Sequence, residues 1–422
     1  MININRLMHD IEAMAEIGAL PDGGIRRRAL SAEDGEGRSY LIRRMEEAGL
    51  TVRVDAAGNI IGRREADRLI AGTESPDAGA AVVLGSHIDT IERAGRYDGI
   101  VGVFGAVECV RTLTDEGELV KRPIEVVAFT DEEERFLGFL GSYAVVGRIS
   151  PENLTEVRDD DGLLLVDAMR AMNLNPDQIR AAERDRTDIA AFVELHIEQG
   201  PLLERDGASI GIVELVKGNY RWEVTVEGKT DHAGAPLHRR KDALMTMHGI
   251  LHELIEFRER QGGAETTLTV GRVTVEPNIE TTQPGMVRFS VDFRSPSSEF
   301  LRRASDTLRD LARRFARTEE IGVRCSPVLI EDPVRFDESV LATIRDAADD
   351  LGYRSRTMAS GAGHDAQVMA SRFPSAMIFV PSVDGRSHCP EEFTEQLDIE
   401  RGVSVLYRTM VSLAGGVAAE VA

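Results

Sequence analysis

Residues 81–90, A-V-V-L-G-S-H-I-D-T, join an apolar run to a histidine and an aspartate, and the fold reading starts there. Ala81 to Leu84 is too short for a helix and lacks polar alternation, so it reads as a buried strand. Downstream, Ile100, Val103, Phe104, Val107 and Val110 recur at helical spacing, and Ile124 to Phe129 forms a second apolar strand. Strand, helix, strand in that order predicts a sheet covered by helices. Open α/β sheets commonly carry ligand-contacting groups at strand ends, which is where His87 and Asp89 stand.

At 422 residues the chain exceeds what one hydrophobic core usually supports, so two domains are expected. Pro151 to Asp188, with its Asp159-Asp160-Asp161 run, reads as a surface excursion before the strand Ala191 to His196. From about Gly218 the pattern changes. Trp222, Val224 and Val226 alternate as in a half-buried strand, Asp242 to Arg260 is helical, and Thr267 to Val275 and Met286 to Phe293 alternate again. Phe300 to Arg317 is helical and Gly322 to Leu329 closes the series, giving β-α-β-β-α-β, the plan of a small ferredoxin-like α+β sheet. The expected organisation is a larger α/β domain from residues 1–213 and 330–422, interrupted by a smaller one at 214–329.

Composition excludes several functions. The formal charge of -22 argues against a nucleic-acid partner or an anionic membrane surface, both of which need clustered cations. Only four of the 50 basic residues are lysine: Lys121, Lys217, Lys229 and Lys241. No apolar run is long enough to span a bilayer, and the first ten residues lack the basic-then-apolar order of a leader, so a cytoplasmic location is expected. Cys109, Cys325 and Cys389 are too scattered for a disulfide framework or a four-cysteine zinc site.

Five clusters of histidine and acid follow strand ends. His87 can bind a metal through one ring nitrogen while Asp89 orients the other. Taken alone, such a pair is more often a surface or satisfied core pair. In R-Y-D-G-I-V-G-V (96–103) Asp98 precedes a helix, a place that suits an N-cap and equally a carboxylate bridging two ions. T-D-E-E-E-R-F (130–136) packs Asp131, Glu132, Glu133 and Glu134 at a strand end, where cations would relieve repulsion. Adjacent glutamates there supply one metal ligand and one base for water. E-L-H-I-E-Q-G-P (194–201) places Glu194, His196 and Glu198 on one strand face. The fifth cluster, P-S-V-D-G-R-S-H-C-P-E-E (381–392), holds His388 in a loop.

With D-H-A-G-A-P (231–236) and S-G-A-G-H-D-A (360–366), these motifs resemble the carbamoylase and allantoate amidohydrolase branch of the dinuclear M20 metallohydrolases, over nearly the whole chain. The resemblance implies a mixed-sheet catalytic domain interrupted by a dimerisation and lid domain. It implies that Asp98 bridges two divalent ions (zinc, manganese, cobalt or nickel), with His87 and His196 on one, Glu133 and His388 on the other, and Glu132 as general base. Histidine at 196, where related peptidases tend to carry a carboxylate, favours an amidohydrolase. His232 resembles the residue that stabilises the oxyanion, Arg294 the arginine that grips a substrate carboxylate, and Gln199 and the Gly363 backbone further substrate contacts.

The chain departs from the family pattern at Thr281, where a substrate-contacting Asn is usual, at Cys389, where Ser is common, and in shorter loops after Glu133 and before Pro236. The expected substrate is an N-carbamoyl-L-amino acid, with allantoate or another ureido acid as the alternative and a peptide or N-acyl amino acid after it. A non-catalytic metal-binding scaffold is disfavoured because all five ligands and the base are present. A homodimer through the inserted domain is expected from the resemblance.

Overall fold

The structure, a computed structural model, describes residues 1–67, 79–318 and 320–416. Two compact units emerge: Met1–Glu214 with Arg335–Ala422, and Leu215–Val334. In chain order the strands are β1 (Thr51–Val54), β2 (Ile60–Arg64), β3 (Ala81–His87), β4 (Ile124–Phe129), β5 (Ile189–Ile197) and β6 (Ile210–Val216). There follow β7 (Gly218–Glu227), β8 (Asp231–His232), β9 (Thr267–Thr269), β10 (Val273–Glu276), β11 (Thr282–Gln283), β12 (Met286–Ser295) and β13 (Gly322–Glu331). Three more complete the series: β14 (Val334–Arg335), β15 (Ser355–Ser360) and β16 (Ser375–Val380).

The larger sheet runs β1-β2-β4-β3-β5-β16-β6-β14, with β15 also on β6. Its four central strands, β4, β3, β5 and β16, are parallel, while β2 and β6 flank them antiparallel. Every residue of β3, β4 and β16 is buried, which is why these strands appear in the sequence as unbroken apolar runs. The helix Ile100–Glu116 packs on β3 and β5, and Gln396–Leu413 packs against that helix and β16. Ile100–Leu113 is buried on all sides, so this helix shows little amphipathicity. Because the central strands are parallel, their C-terminal ends emerge on one edge and carry the candidate ligands together.

Pro151 to Asp188 departs from the expected surface excursion. Leu154, Leu165, Met169 and Ile179 bury themselves in a second apolar cluster built on short helices. Asp159, from the acidic run, has no exposed side chain and accepts from Arg135 Nη2 at 3.0 Å and from the Leu163 amide at 2.9 Å. The charge run masked a segment whose apolar residues are too sparse to show a period.

The smaller unit is an antiparallel sheet ordered β10-β12-β7-β13, with β9 also on β12. Helices Ala243–Gln261 and Ser298–Thr318 cover one face through Ile250, Leu254, Leu301 and Leu308, packed on Trp222, Val224, Phe289 and Phe293. The expected strand Thr267 to Val275 is broken in two. Ser290 Oγ accepts the amides of Gly271 and Arg272 at 3.2 and 3.0 Å, replacing the ladder there. A two-stranded ribbon, β8 with β11, pairs His232 with Thr282. Among the described residues, no helix is long and apolar enough to cross a membrane.

Candidate metal centre

His87 ends β3 and is 1% exposed. Its Nδ1 lies 3.1 Å from the Asp89 carbonyl oxygen, to which it can donate, leaving Nε2 to face Asp98 Oδ1 at 3.3 Å and Glu132 Oε2 at 3.6 Å. Asp89 therefore acts differently from the expected carboxylate-to-imidazole pair. Its carboxylate, 3.9 Å from Nδ1, accepts the amides of Glu132 and Glu133 at 3.4 and 3.1 Å and so shapes the acidic loop.

His196, near the end of β5, repeats the pattern, with Nδ1 2.9 Å from the Ile197 carbonyl and Nε2 3.1 Å from Asp98 Oδ1. Asp98 is not the helix cap. Gly99 holds that position with φ +67°, and a Cβ there would lie 2.6 Å from His87 Nε2, so only glycine lets the turn approach the imidazole. The Asp98 carboxylate is left free to face the histidines.

Asp131 organises the four consecutive acids. Buried, with φ +57°, it accepts the amides of Arg135, Phe136 and Leu137 at 2.9, 3.2 and 2.9 Å. Burial, with Asp89 adding, raises its pKa to about 7. Glu133 then reaches His388 Nε2 at 3.3 Å, and His388 Nε2 lies 3.5 Å from Asp98 Oδ2. Two of the candidate ligand groups, His87–Asp98–His196 and Asp98–Glu133–His388, have Asp98 in common, the donor atoms of each lying within 4.8 Å of one another.

The donor chemistry fits divalent cations. Burial disfavours charge on Asp98, yet His196, His388 and His87 hold its carboxyl well below the usual range. Burial pushes Glu132 well above its usual value, opposed by His87 and reinforced by Glu133. His388 is raised to about 11 by Asp98 and Glu133. Glu133 Oε1 is buried and faces His388 Nε2 at 3.3 Å. Acids that favour protons on His87, His196 and His388 would equally be stabilised by other positive charge, and mixed imidazole and carboxylate donors suit zinc, manganese, cobalt or nickel.

Of the residues around these groups, His364, Ser387 and Glu392 were not singled out in the sequence, whereas Glu194 and Glu198 were. His364 lies with its ring centroid 4.6 Å from that of His196 and its Nε2 3.0 Å from Ser360 Oγ. Burial and the neighbouring His196 hold its pKa well below the usual value. Glu194 groups with His196 and His364, yet its oxygens already accept from Ser86 Oγ at 2.7 Å and the Ala366 amide at 2.8 Å. Glu198 points elsewhere, accepting the amides of Leu202 and Leu203. Glu392 and Ser387 sit beside Asp98. His364 and Glu392 lie inside S-G-A-G-H-D-A and S-H-C-P-E-E, so the motifs held the signal but not the assignment.

The model of peptidase family M20/M25/M40 matches residues 83–412. An N-carbamoyl-L-amino-acid amidohydrolase of Paenarthrobacter aurescens is 37% identical over 393 residues, covering 92% of this chain and 93% of that protein. An allantoate amidohydrolase of Bacillus subtilis is 36% identical, covering 97% and 98%. The crystal structure of a hydantoinase/carbamoylase family amidase from Burkholderia multivorans is 36% identical with a TM-score of 0.89, covering 98% of each chain. The chain belongs to the M20 family.

Within this M20 fold the remaining candidates divide between the units. Gln199, with φ +54°, donates from Nε2 to Asp98 Oδ2 at 2.7 Å, and Gly363 exposes its backbone just before helix Asp365–Met369. In the smaller unit His232 is exposed on β8, its Nδ1 accepting the Gly234 amide at 3.0 Å. The exposed Thr281 offers its carbonyl to the Ala233 amide at 2.9 Å. Arg294 lies inside β12 rather than beyond its end, its Nε 3.2 Å from Asp292 Oδ1.

Proposed function

We propose that this M20-family protein hydrolyses the C–N bond of an N-carbamoyl-L-amino acid to the amino acid, carbon dioxide and ammonia, using two divalent cations. The observation that carries the reading is the sharing of Asp98 between two ligand triads with Glu132 beside it. His87, Asp98 and His196 would hold one ion, and Asp98, Glu133 and His388 the other. When bound, the ions supply Lewis acidity toward the carbonyl and lower the pKa of water. Glu132 takes the proton from the attacking water and later delivers one to the leaving nitrogen.

His232 donates to the developing oxyanion, and the planar fork of Arg294 pairs with the substrate carboxylate. Gln199, Thr281 and the Gly363 backbone contact the rest of the substrate. The smaller unit serves as lid and as the interface of a homodimer. Static light scattering of the purified chain tests the dimer, and a monomer at working concentration contradicts it.

A second reading, hydrolysis of allantoate or another ureido acid, is supported by the allantoate amidohydrolase of B. subtilis, similar at 36% identity. The departure at Thr281 bears on the same choice. Ammonia release by metal-reconstituted protein from N-carbamoyl-L-amino acids and from allantoate, each with a chelated control, decides between them. Release from neither, with full metal content, rejects both and sends the assay to dipeptides and N-acyl amino acids.

A further inference from the structure

His388 has no strand beneath it. It lies in the loop between β16 and helix Gln396–Leu413, with φ +56° and a side chain 45% exposed. What ties this loop to the rest of the site is Glu392, itself 3% exposed. One carboxylate oxygen, Oε1, accepts the backbone amides of Tyr97 at 2.8 Å and Asp98 at 3.1 Å. The other, Oε2, lies 2.7 Å from Ser387 Oγ, which is 2.9 Å from Asp98 Oδ2. The Glu392 amide donates to the Cys389 carbonyl at 3.1 Å, closing a turn next to His388. Gly95 makes room for the whole arrangement, because a Cβ there would stand 2.3 Å from Glu392 Cβ.

We propose that Glu392 is a positioning residue that clasps the Asp98 loop to the His388 loop and thereby assembles the second ion site, Asp98–Glu133–His388. It is absent from all four candidate ligand groups among the described residues. Both of its oxygens are engaged, by two amides and a hydroxyl, in fixing where ligands stand. The first site, His87–Asp98–His196, has its imidazoles on β3 and β5 and needs the clasp less. Loss of Glu392 therefore weakens the second ion more than the first, which shares Asp98 but keeps two strand-borne imidazoles, whereas a carboxylate that merely stabilised the fold would affect both alike. The inference rests on the two-ion reading above.

The test is titration of the metal-depleted full-length chain with cobalt(II), followed by calorimetry and by the visible absorption of each bound ion. Wild type is expected to take two ions. Glu392→Ala should keep the first and bind the second about 10- to 100-fold more weakly, the usual effect of losing an outer-shell partner. Glu392→Gln, whose amide oxygen can still accept from Tyr97 and Asp98, should recover most of that affinity. Ser387→Ala removes one arm without disturbing the buried carboxylate, and should weaken the second ion less; it decides the matter if the alanine variant at 392 does not fold. Two ions bound as in wild type by both alanine variants would overturn the clasp, as would equal weakening of both ions. A wild type that takes one ion breaks the two-ion reading itself, and the clasp with it.

Discussion

The two halves of the candidate metal centre are built in opposite ways. His87 and His196 stand on strands of one parallel sheet, each 1% exposed, each with Nδ1 beside a backbone carbonyl. Register alone brings them together, since β3 and β5 are hydrogen-bonded neighbours. Glu133 and His388 come from loops, with left-handed backbone at Asp131, Glu134 and His388 and a half-exposed imidazole. A strand-borne ligand is positioned by hydrogen bonds the sheet makes anyway. A loop-borne ligand needs dedicated side chains, here Asp89, Asp131, Ser387 and Glu392, and the burial of the three acids must be offset by hydrogen bonds.

Asp98 is the one proposed ligand common to both halves, so Asp98→Asn should produce the largest effect. Both ions are expected to weaken by more than about 100-fold, beyond the effect of an outer-shell loss, with turnover falling below detection. Retention of either ion at wild-type affinity in inductively coupled plasma analysis after dialysis would break the shared-ligand picture. Glu132→Gln comes next. It should lower kcat by about 10²- to 10⁴-fold while two ions remain bound, because only the proton carrier is changed. Substantial residual ammonia release would remove Glu132 from that role.

The halves themselves are separated by His87→Ala against His388→Ala. Each should cost one ion and each strips a neighbour from buried Asp98, but only His87 is itself buried, so its loss should lower stability more, by about 1–3 kcal/mol. Equal denaturation midpoints for the two variants would contradict the difference between strand-borne and loop-borne ligands.

Proton release sharpens it further. In the metal-free site His388 is raised to about 11 by Asp98 and Glu133, so it is protonated at neutral pH and must lose its proton to bind an ion. Affinity at that half should therefore rise with pH, by about tenfold per unit for one proton displaced. Calorimetry in buffers of differing ionisation enthalpy would detect the proton, and a buffer-independent heat would contradict it. The smallest effect belongs to Cys389→Ser. The Cys389 backbone, not its thiol, takes part in the turn, so stability should change by about 0.5 kcal/mol or less and both ions should stay.

The strand-borne half was the more legible in the sequence. The apolar runs ending at His87 and leading into His196 carry their own signal, because a strand buried on both faces has to be apolar throughout. The alternation of Trp222, Val224 and Val226 was equally plain, since one face of β7 meets helices. Reading failed where contacts are long-range. In the sequence Asp98 suits a helix cap and a bridging carboxylate equally, and only the fold gives the cap position to Gly99. The Pro151 to Asp188 segment hid its buried cluster behind Asp159, whose partner Arg135 is remote in sequence. Glu194 and Glu198 share a motif with His196, yet neither keeps an oxygen free of a protein hydrogen-bond donor.

By itself, the sequence determined which residue types sit at strand ends, and with them a donor set of histidine and carboxylate and the family those motifs resemble. Those features are local: periodicity is set by neighbours in the chain, and a motif's chemistry by the groups it contains. The resemblance already implied Asp98 beside His87, His196 and His388; only the tertiary structure decided that Asp89 and Asp131 support the acidic loop and that Glu392 joins the loops of Asp98 and His388. Those assignments depend on which buried donors are left for each carboxylate once the sheet has formed, and that accounting spans residues hundreds of positions apart.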